Sequence, residues 1–257
     1  LIRTSLASLA LVLGLTQVQA SPVDASASYV LTLGGINVAM MRVDLDDTGS
    51  AYTLDVKANV AGLGAVVASG TANITAKGNS SGSTLRSESF ALETRANGEK
   101  FNVDVGFSGQ NVTSFKVDPP VGDFDRVPVE RGHLTGVGDF VSAFVLKGGA
   151  LDKSVCDRRM RIFTGVERFN LDMSFVDTDD ATSPRTGYQG PVVLCSIDYE
   201  PISGHYESNE ITNYLADESR ILIWYMPLGE TGYFIPYRVL LGTSMGDLSM
   251  VLVKAES

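Results

Sequence analysis

The sequence predicts a mainly β protein, a sandwich or barrel-like sheet of antiparallel strands. Three observations carry this. Side chains alternate with a period of two along much of the 257-residue chain, beginning with Tyr29, Leu31 and Leu33 against Val30, Thr32 and Gly34. Short segments rich in Gly, Asn, Asp and Ser interrupt these runs at regular intervals. Helical signal is sparse, which argues against βαβ units.

Taken in order, residues 36–45 and 52–61 are strand-like. They are joined by Asp46-Asp47-Thr48-Gly49-Ser50, whose acidic and glycine residues favour a tight hairpin. Further strand-like runs lie at 70–77, 84–95, 100–107 and 112–118. Of their separators, Asn97-Gly98 is the strongest hairpin signal, because both residues tolerate positive φ. Residues 60–68 are apolar and Ala-rich and read either as a short helix or as a strand. Pro119-Pro120 to Pro128 reads as an irregular crossover. Residues 137–147 are the best helix candidate. Asp139 stands at or near the N-cap, Phe140, Val141, Phe144 and Val145 share one face, and Gly148-Gly149 stops it. Strands resume at 156–163 and 169–176, around a Thr164-Gly165-Val166-Glu167 hairpin. A polar loop at 177–185, a strand at 191–199, a short helical turn at 209–216 and strands at 220–226, 237–242 and 247–255 follow. No linker interrupts residues 21–257, which read as a single β-rich domain.

With 44% hydrophobic and 19% charged residues, the chain is not disordered. Its 20 Lys and Arg against 30 Asp and Glu give a charge of −10, so a general basic surface for nucleic acid is excluded. At the start, Arg3, the apolar residues 6–18 and Val18-Gln19-Ala20 have the form of a secretory signal peptide over residues 1–20, cleaved after Ala20. The apolar run is well short of the roughly 20 residues needed to cross a bilayer. No later run reaches that length, so the processed chain is expected outside the cytoplasm and not membrane-spanning. Cys156 and Cys195 are even in number, and in an exported chain they are expected to pair. Two Cys and two His without metal spacing give no zinc site, and no Gly-rich phosphate loop is present, so no cofactor or metal is expected.

Several motifs, taken in order, carry a resemblance. Asp139-Phe140-Val141-Ser142-Ala143-Phe144 precedes the hairpin Phe163-Thr164-Gly165-Val166-Glu167-Arg168-Phe169-Asn170-Leu171. Cys195 with Glu200-Pro201-Ile202-Ser203-Gly204, then Trp224-Tyr225, then Pro236-Tyr237-Arg238 follow. This order resembles the exported bacterial proteins of domain of unknown function 3108, over most of the processed chain. That family is similar to envelope-integrity proteins. The resemblance implies one large curved antiparallel sheet, an open β-barrel or β-spiral, with one or two short helices, one packed in the concave face. It also implies a periplasmic protein with a concave apolar groove, and no catalytic residue to carry over.

Two groups of residues are candidate binding sites. Arg158, Arg159, Arg161 and Arg168 concentrate positive charge in one hairpin and could meet phosphate or carboxylate groups. Alternation puts Arg159 and Arg161 on one face and Arg158 on the other, which favours a solvated edge. Trp224, Tyr225, Tyr233, Phe234 and Tyr237 could rim a ligand groove, although such residues more often fill the core of a curved sheet. The acidic runs at 44–47 and 177–180 lack calcium-loop spacing and read as solvated turns. His133 and His205 read as loop histidines, with no nucleophile elbow nearby. The expected function is therefore non-enzymatic: a periplasmic envelope-maintenance protein that binds another envelope component, a protein or a lipid, through its groove or sheet edge. A lipid or lipoprotein-acyl carrier is the main alternative, and a cell-wall or lipid hydrolase the weakest.

Overall fold

The computed structural model describes residues 22–62, 69–122, 124–217, 220–243 and 246–257; the expected signal peptide and most of the 60–68 run lie outside them. The first half is a meander of seven strands: β1 (Val23–Leu33), β2 (Ile36–Asp47), β3 (Ala51–Val60), β4 (Gly70–Asn79), β5 (Arg86–Ala96), β6 (Glu99–Ser108) and β7 (Asn111–Asp118). The second half contains a short β8 (Leu146–Lys147), then β9 (Arg158–Phe163), β10 (Arg168–Ala181) and β11 (Gly190–Ser203). Helix α1 (Glu210–Asp217), β12 (Ile221–Pro227), β13 (Tyr233–Leu241) and β14 (Leu248–Glu256) complete it.

All fourteen strands belong to one sheet, in the order β7-β6-β5-β4-β3-β2-β1-β14-β13-β12-β11-β10-β9, with β8 beside β13. Each half is thus an up-and-down meander, and the two are sewn together where β1 pairs with β14, from Ser26 opposite Glu256 to Leu33 opposite Leu248. The sheet is open, but its outer strands turn towards each other. Phe115 of β7 meets Phe163 of β9 edge to face, with ring centroids 5.3 Å apart. Between the two edges the crossover makes a bridge to each, Thr135 to Asn111 and Gly138 to Ile162. In the turn after β9, Gly165 has φ +91°, and a Cβ there would stand 2.2 Å from a Val103 methyl of β6. Only glycine allows both that turn and that approach.

Alternation places the core on the concave face. Val23, Ala25, Ala27 and Tyr29 of β1, Tyr52, Leu54 and Val56 of β3, and Val103, Val105 and Phe107 of β6 are buried. A second cluster, with Met160, Ile162, Leu171, Ile197 and Ile223, packs against Leu146, Val155 and Cys156. Truncating a side chain as enclosed as Leu54, 1% exposed, is expected to cost about 2–5 kcal/mol in a urea titration.

The helix expected over 137–147 is not formed. Only Ser142–Phe144 is helical, as a single 3-10 turn. Bridges hold Thr135 against β7 and Gly138 against β9, and the chain must reach β8 by Leu146, so too few residues remain for a longer helix. Asp139 nevertheless caps this turn, accepting from the backbone N–H of Val141 at 2.9 Å and of Ser142 at 2.8 Å. The helical turn expected at 209–216 is present as α1. Strand ends also differ from expectation. Asp44 to Asp47 and Asp177 to Asp180 lie inside β2 and β10, not in turns, because their backbones continue the ladders to β3 and β11. Cys156 precedes β9, at the end of a 3-10 turn (Lys153–Cys156).

Asp47 is not solvated at all. It is 1% exposed and accepts from the Lys147 Nζ at 3.0 Å, the Tyr233 hydroxyl at 2.6 Å, the Gly49 N–H at 2.8 Å and the Ser80 hydroxyl. Lys147 also donates to the Ser80 carbonyl at 2.6 Å. This network ties β2, the β4–β5 connection, β8 and β13 together at one end of the curved sheet.

Candidate functional site

The site begins with a packing deficit. β1 turns Ala25 and Ala27 to the concave face, where its neighbours present Val43, Leu45, Leu54 and Val56. Opposite them, the capped segment brings Phe140, Val141, Phe144 and Val145, and β13 brings Ile235 and Val239. Two alanines at the middle of this layer leave space that the surrounding side chains do not fill. The result is a partly open cavity of about 310 Å³. Among its lining residues none is charged, and nearly all are aliphatic or aromatic. Leu31, Met41, Leu241, Leu248 and Met250 extend the apolar lining along the β1–β14 seam.

The wall opposite β1 is held by a polar anchor. The fully buried Asp139 accepts from the Ser87 hydroxyl of β5 at 2.5 Å, and Tyr52 of β3 and Ser142 share a hydroxyl hydrogen bond at 2.8 Å. Burial pushes Asp139 above the usual carboxylate range, although hydrogen bonds from Ser142, Ser87 and Val141 oppose the rise. The folded protein therefore binds this proton more tightly than the unfolded chain. The stabilisation is full below the unfolded value and falls as pH rises through the raised one. Asp139→Asn, which keeps a cap acceptor, is expected to flatten that part of the pH–stability profile. Asp139→Ala is expected to lose about 0.5–2 kcal/mol of cap energy, read from urea midpoints at neutral pH.

A family model described as "Protein of unknown function (DUF3108)" matches residues 28–253 of this chain. The chain belongs to this family. Among solved structures, the DUF3108 chain is similar to the crystal structure of a beta-barrel-like protein of domain of unknown function DUF1849 from Brucella abortus. The two share 13% identity with a TM-score of 0.52, and the match covers 91% of this chain and 97% of the other. At that identity the likeness is one of fold, an open barrel-like sheet. No curated protein sequence matches.

In this DUF3108 chain the two cysteines are joined. Cys156 and Cys195 form a disulfide with Cα atoms 5.5 Å apart, linking the 3-10 turn before β9 to β11. Among the described residues, no helix is long and apolar enough to cross a membrane and no cluster of His, Cys, Asp and Glu suits a metal ion.

The predicted site residues are dispersed. Tyr225, Tyr233, Phe234 and Tyr237 are buried in the two cores, and Trp224 packs beside them with the Arg238 guanidinium 5.2 Å from its ring. None of the five is among the residues lining the apolar cavity. Burial raises Tyr225 and Tyr233 far above the usual phenol range, with the Asp47 carboxylate adding to the rise at Tyr233. Arg158 turns towards the second core, near Tyr225, whose ionisation its charge favours. Arg159 is exposed and ion-paired to Asp172 at 3.2 Å and Glu200 at 2.9 Å. Arg161 and Arg168 share its face and make no ion pair among the described residues. His133 sits in a 3-10 turn with Nδ1 accepting from the Glu130 N–H at 3.1 Å, and His205 follows the end of β11. The cavity residues Ala25, Ala27 and Val43 were not singled out from sequence. The signal was there, since Val23, Ala25 and Ala27 alternate with Asp24, Ser26 and Ser28 ahead of Tyr29.

Proposed function

We propose that this chain is a non-enzymatic binding protein of the bacterial cell envelope, and that its concave interior takes up the apolar part of another envelope component. An acyl chain is the ligand whose chemistry matches. The observation that carries this reading is the partly open cavity of about 310 Å³ with no charged residue in its wall. Apolar cavities stay dry and accept apolar guests. Each methylene moved into one from water contributes about 0.8 kcal/mol. The disulfide supports an oxidising compartment and hence export. Asp139, Ser87, Tyr52 and Ser142, which anchor the segment carrying Phe140 and Val141, are engaged with one another, which favours a binding role over a chemical one.

The test is titration of delipidated protein with a fluorescent fatty-acid probe, alongside native mass spectrometry of protein purified gently from its own envelope. Saturable probe binding and a co-purifying acyl mass are expected. Ala27→Phe, which fills the cavity from β1, is expected to weaken the probe about tenfold or more while leaving the fold intact by circular dichroism. A bare protein mass together with no probe binding would sink the proposal and leave the sheet edge as the route to a protein partner.

A further inference from the structure

Three buried polar side chains on one patch of the second half each carry an atom without a hydrogen-bond partner. Register puts them together. Asn170 of β10 faces Arg161 of β9 and Glu200 of β11, and Arg168, two residues earlier on the same face, is opposite Ser203. Arg168, Asn170 and Ser203 are 6%, 5% and 0% exposed. The Arg168 Nε, the Asn170 Oδ1 and the Ser203 Oγ have no hydrogen-bond partner. Buried polar atoms are nearly always satisfied; the Asn170 Oδ1 accepts and calls for a donor such as water, whereas the Arg168 Nε–H and the Ser203 hydroxyl are two donors that call for an acceptor.

The charges give its sign. Glu200, opposite Asn170, is already engaged, accepting from the Asn170 amide at 2.6 Å and from Arg159 at 2.9 Å. Arg168 donates only to the Phe169 carbonyl, and Arg161 makes no side-chain hydrogen bond or ion pair among the described residues. Arg161 and Arg168 are diagonal neighbours across a strand pair, within reach of long side chains. Burial lowers Arg168 most, and the Arg161 charge lowers it further, more than Glu200 restores. Two cations held side by side without a shared counter-ion are the arrangement that binds an anion. Arg161 also lines a polar groove open to solvent.

We propose that Arg161, Arg168 and Ser203 form a binding site for a small oxyanion, a phosphate or carboxylate group. The two guanidinium groups neutralise it and the Ser203 hydroxyl donates to it. This site is separate from the apolar cavity, and the proposal stands or falls without the acyl reading.

The test is thermal unfolding of the full chain in inorganic phosphate, with sodium chloride matched for ionic strength. Melting temperature is expected to rise with phosphate and not with chloride. Arg161→Gln removes the more exposed cation. It is expected to leave the phosphate-free melting temperature unchanged or raised, because a like-charge contact is lost, and to weaken phosphate about tenfold or more. Glu200→Gln removes a competing negative charge and is expected to tighten phosphate. Flotation with phosphatidylglycerol vesicles distinguishes a lipid headgroup from a free ion, and no flotation is expected because Arg168 and Ser203 are enclosed. Equal responses to phosphate and chloride, an Arg161→Gln response like that of the unmodified chain, or weaker phosphate binding in Glu200→Gln would each overturn the proposal. So would flotation that depends on Arg161 without any response to free phosphate.

Discussion

Replacing Asp47 by alanine is expected to destabilise the protein by about 3–5 kcal/mol, because it leaves the Lys147 ammonium and the Tyr233 hydroxyl without their buried partner. The effect is large because the carboxylate gathers four donors at 1% exposure, one from its own turn and three from separate parts of the chain. Removing it therefore loosens a junction of four elements and not a single contact. The same group makes stability depend on acid. Burial pushes Asp47 up, but hydrogen bonds from Ser80, Tyr233, Lys147 and Gly49 together hold it below the usual carboxylate range. The stabilisation is complete above the unfolded value of about 3.9 and is lost as pH falls through the lower folded one. Urea midpoints measured from neutral pH down to pH 2 should show this loss in the unmodified chain. Asp47→Asn should show a shallower acid branch. An Asp47→Ala variant within 1 kcal/mol of the parent would show that the network carries little, at about the scale of an exposed ion pair.

Removing the disulfide is expected to cost a similar amount for a different reason. Cys156 and Cys195 are 39 residues apart in sequence, and closing a loop of that size is worth about 4 kcal/mol in the unfolded state. Both residues are fully buried in the second core, so the double change to alanine avoids leaving a lone thiol or a hydroxyl there. Denaturant unfolding of Cys156→Ala/Cys195→Ala should show a lower midpoint, with the loss concentrated in β9, β10 and β11. Hydrogen exchange would locate it. Unchanged protection in those strands would show that their packing, and not the bridge, fixes this half of the sheet.

Strands such as β1, β3 and β6 were legible because one face is more buried than the other, which writes a period of two into the sequence. Leu45 and Leu54 are instances, and so are the glycine-bearing turns around Asn97-Gly98 and Thr164-Gly165. What was not legible depends on contacts far apart in the chain. Asp47 has the composition of a turn residue, and only β8 and β13, brought up from 100 and 186 residues away, make it a buried anchor. The helix over 137–147 has the right apolar spacing, but bridges at Thr135 and Gly138 tie its start to β7 and β9. The cavity arises from Ala25 and Ala27 meeting a wall assembled from the crossover and β13, a juxtaposition no local pattern encodes. Arg161 and Arg168 lie on separate strands, and the hairpin register that sets them on one face is fixed by the turn between them.

The seam between β1 and β14 has a consequence for how the protein is made. Apart from the two-residue β8 beside β13, every other strand pairing joins neighbours in sequence, so each meander can form by adding one hairpin at a time, at little loop-closure cost. The seam joins the first strand to the last, and it is the slow step. Until β14 is in place, β1 presents a bare inner edge carrying Ala27, Tyr29 and Leu31, open to pairing with the same strand of another molecule. During synthesis this edge is the chain's exposed liability, and a helper that covers β1 until the last strand arrives would suppress aggregation at its source.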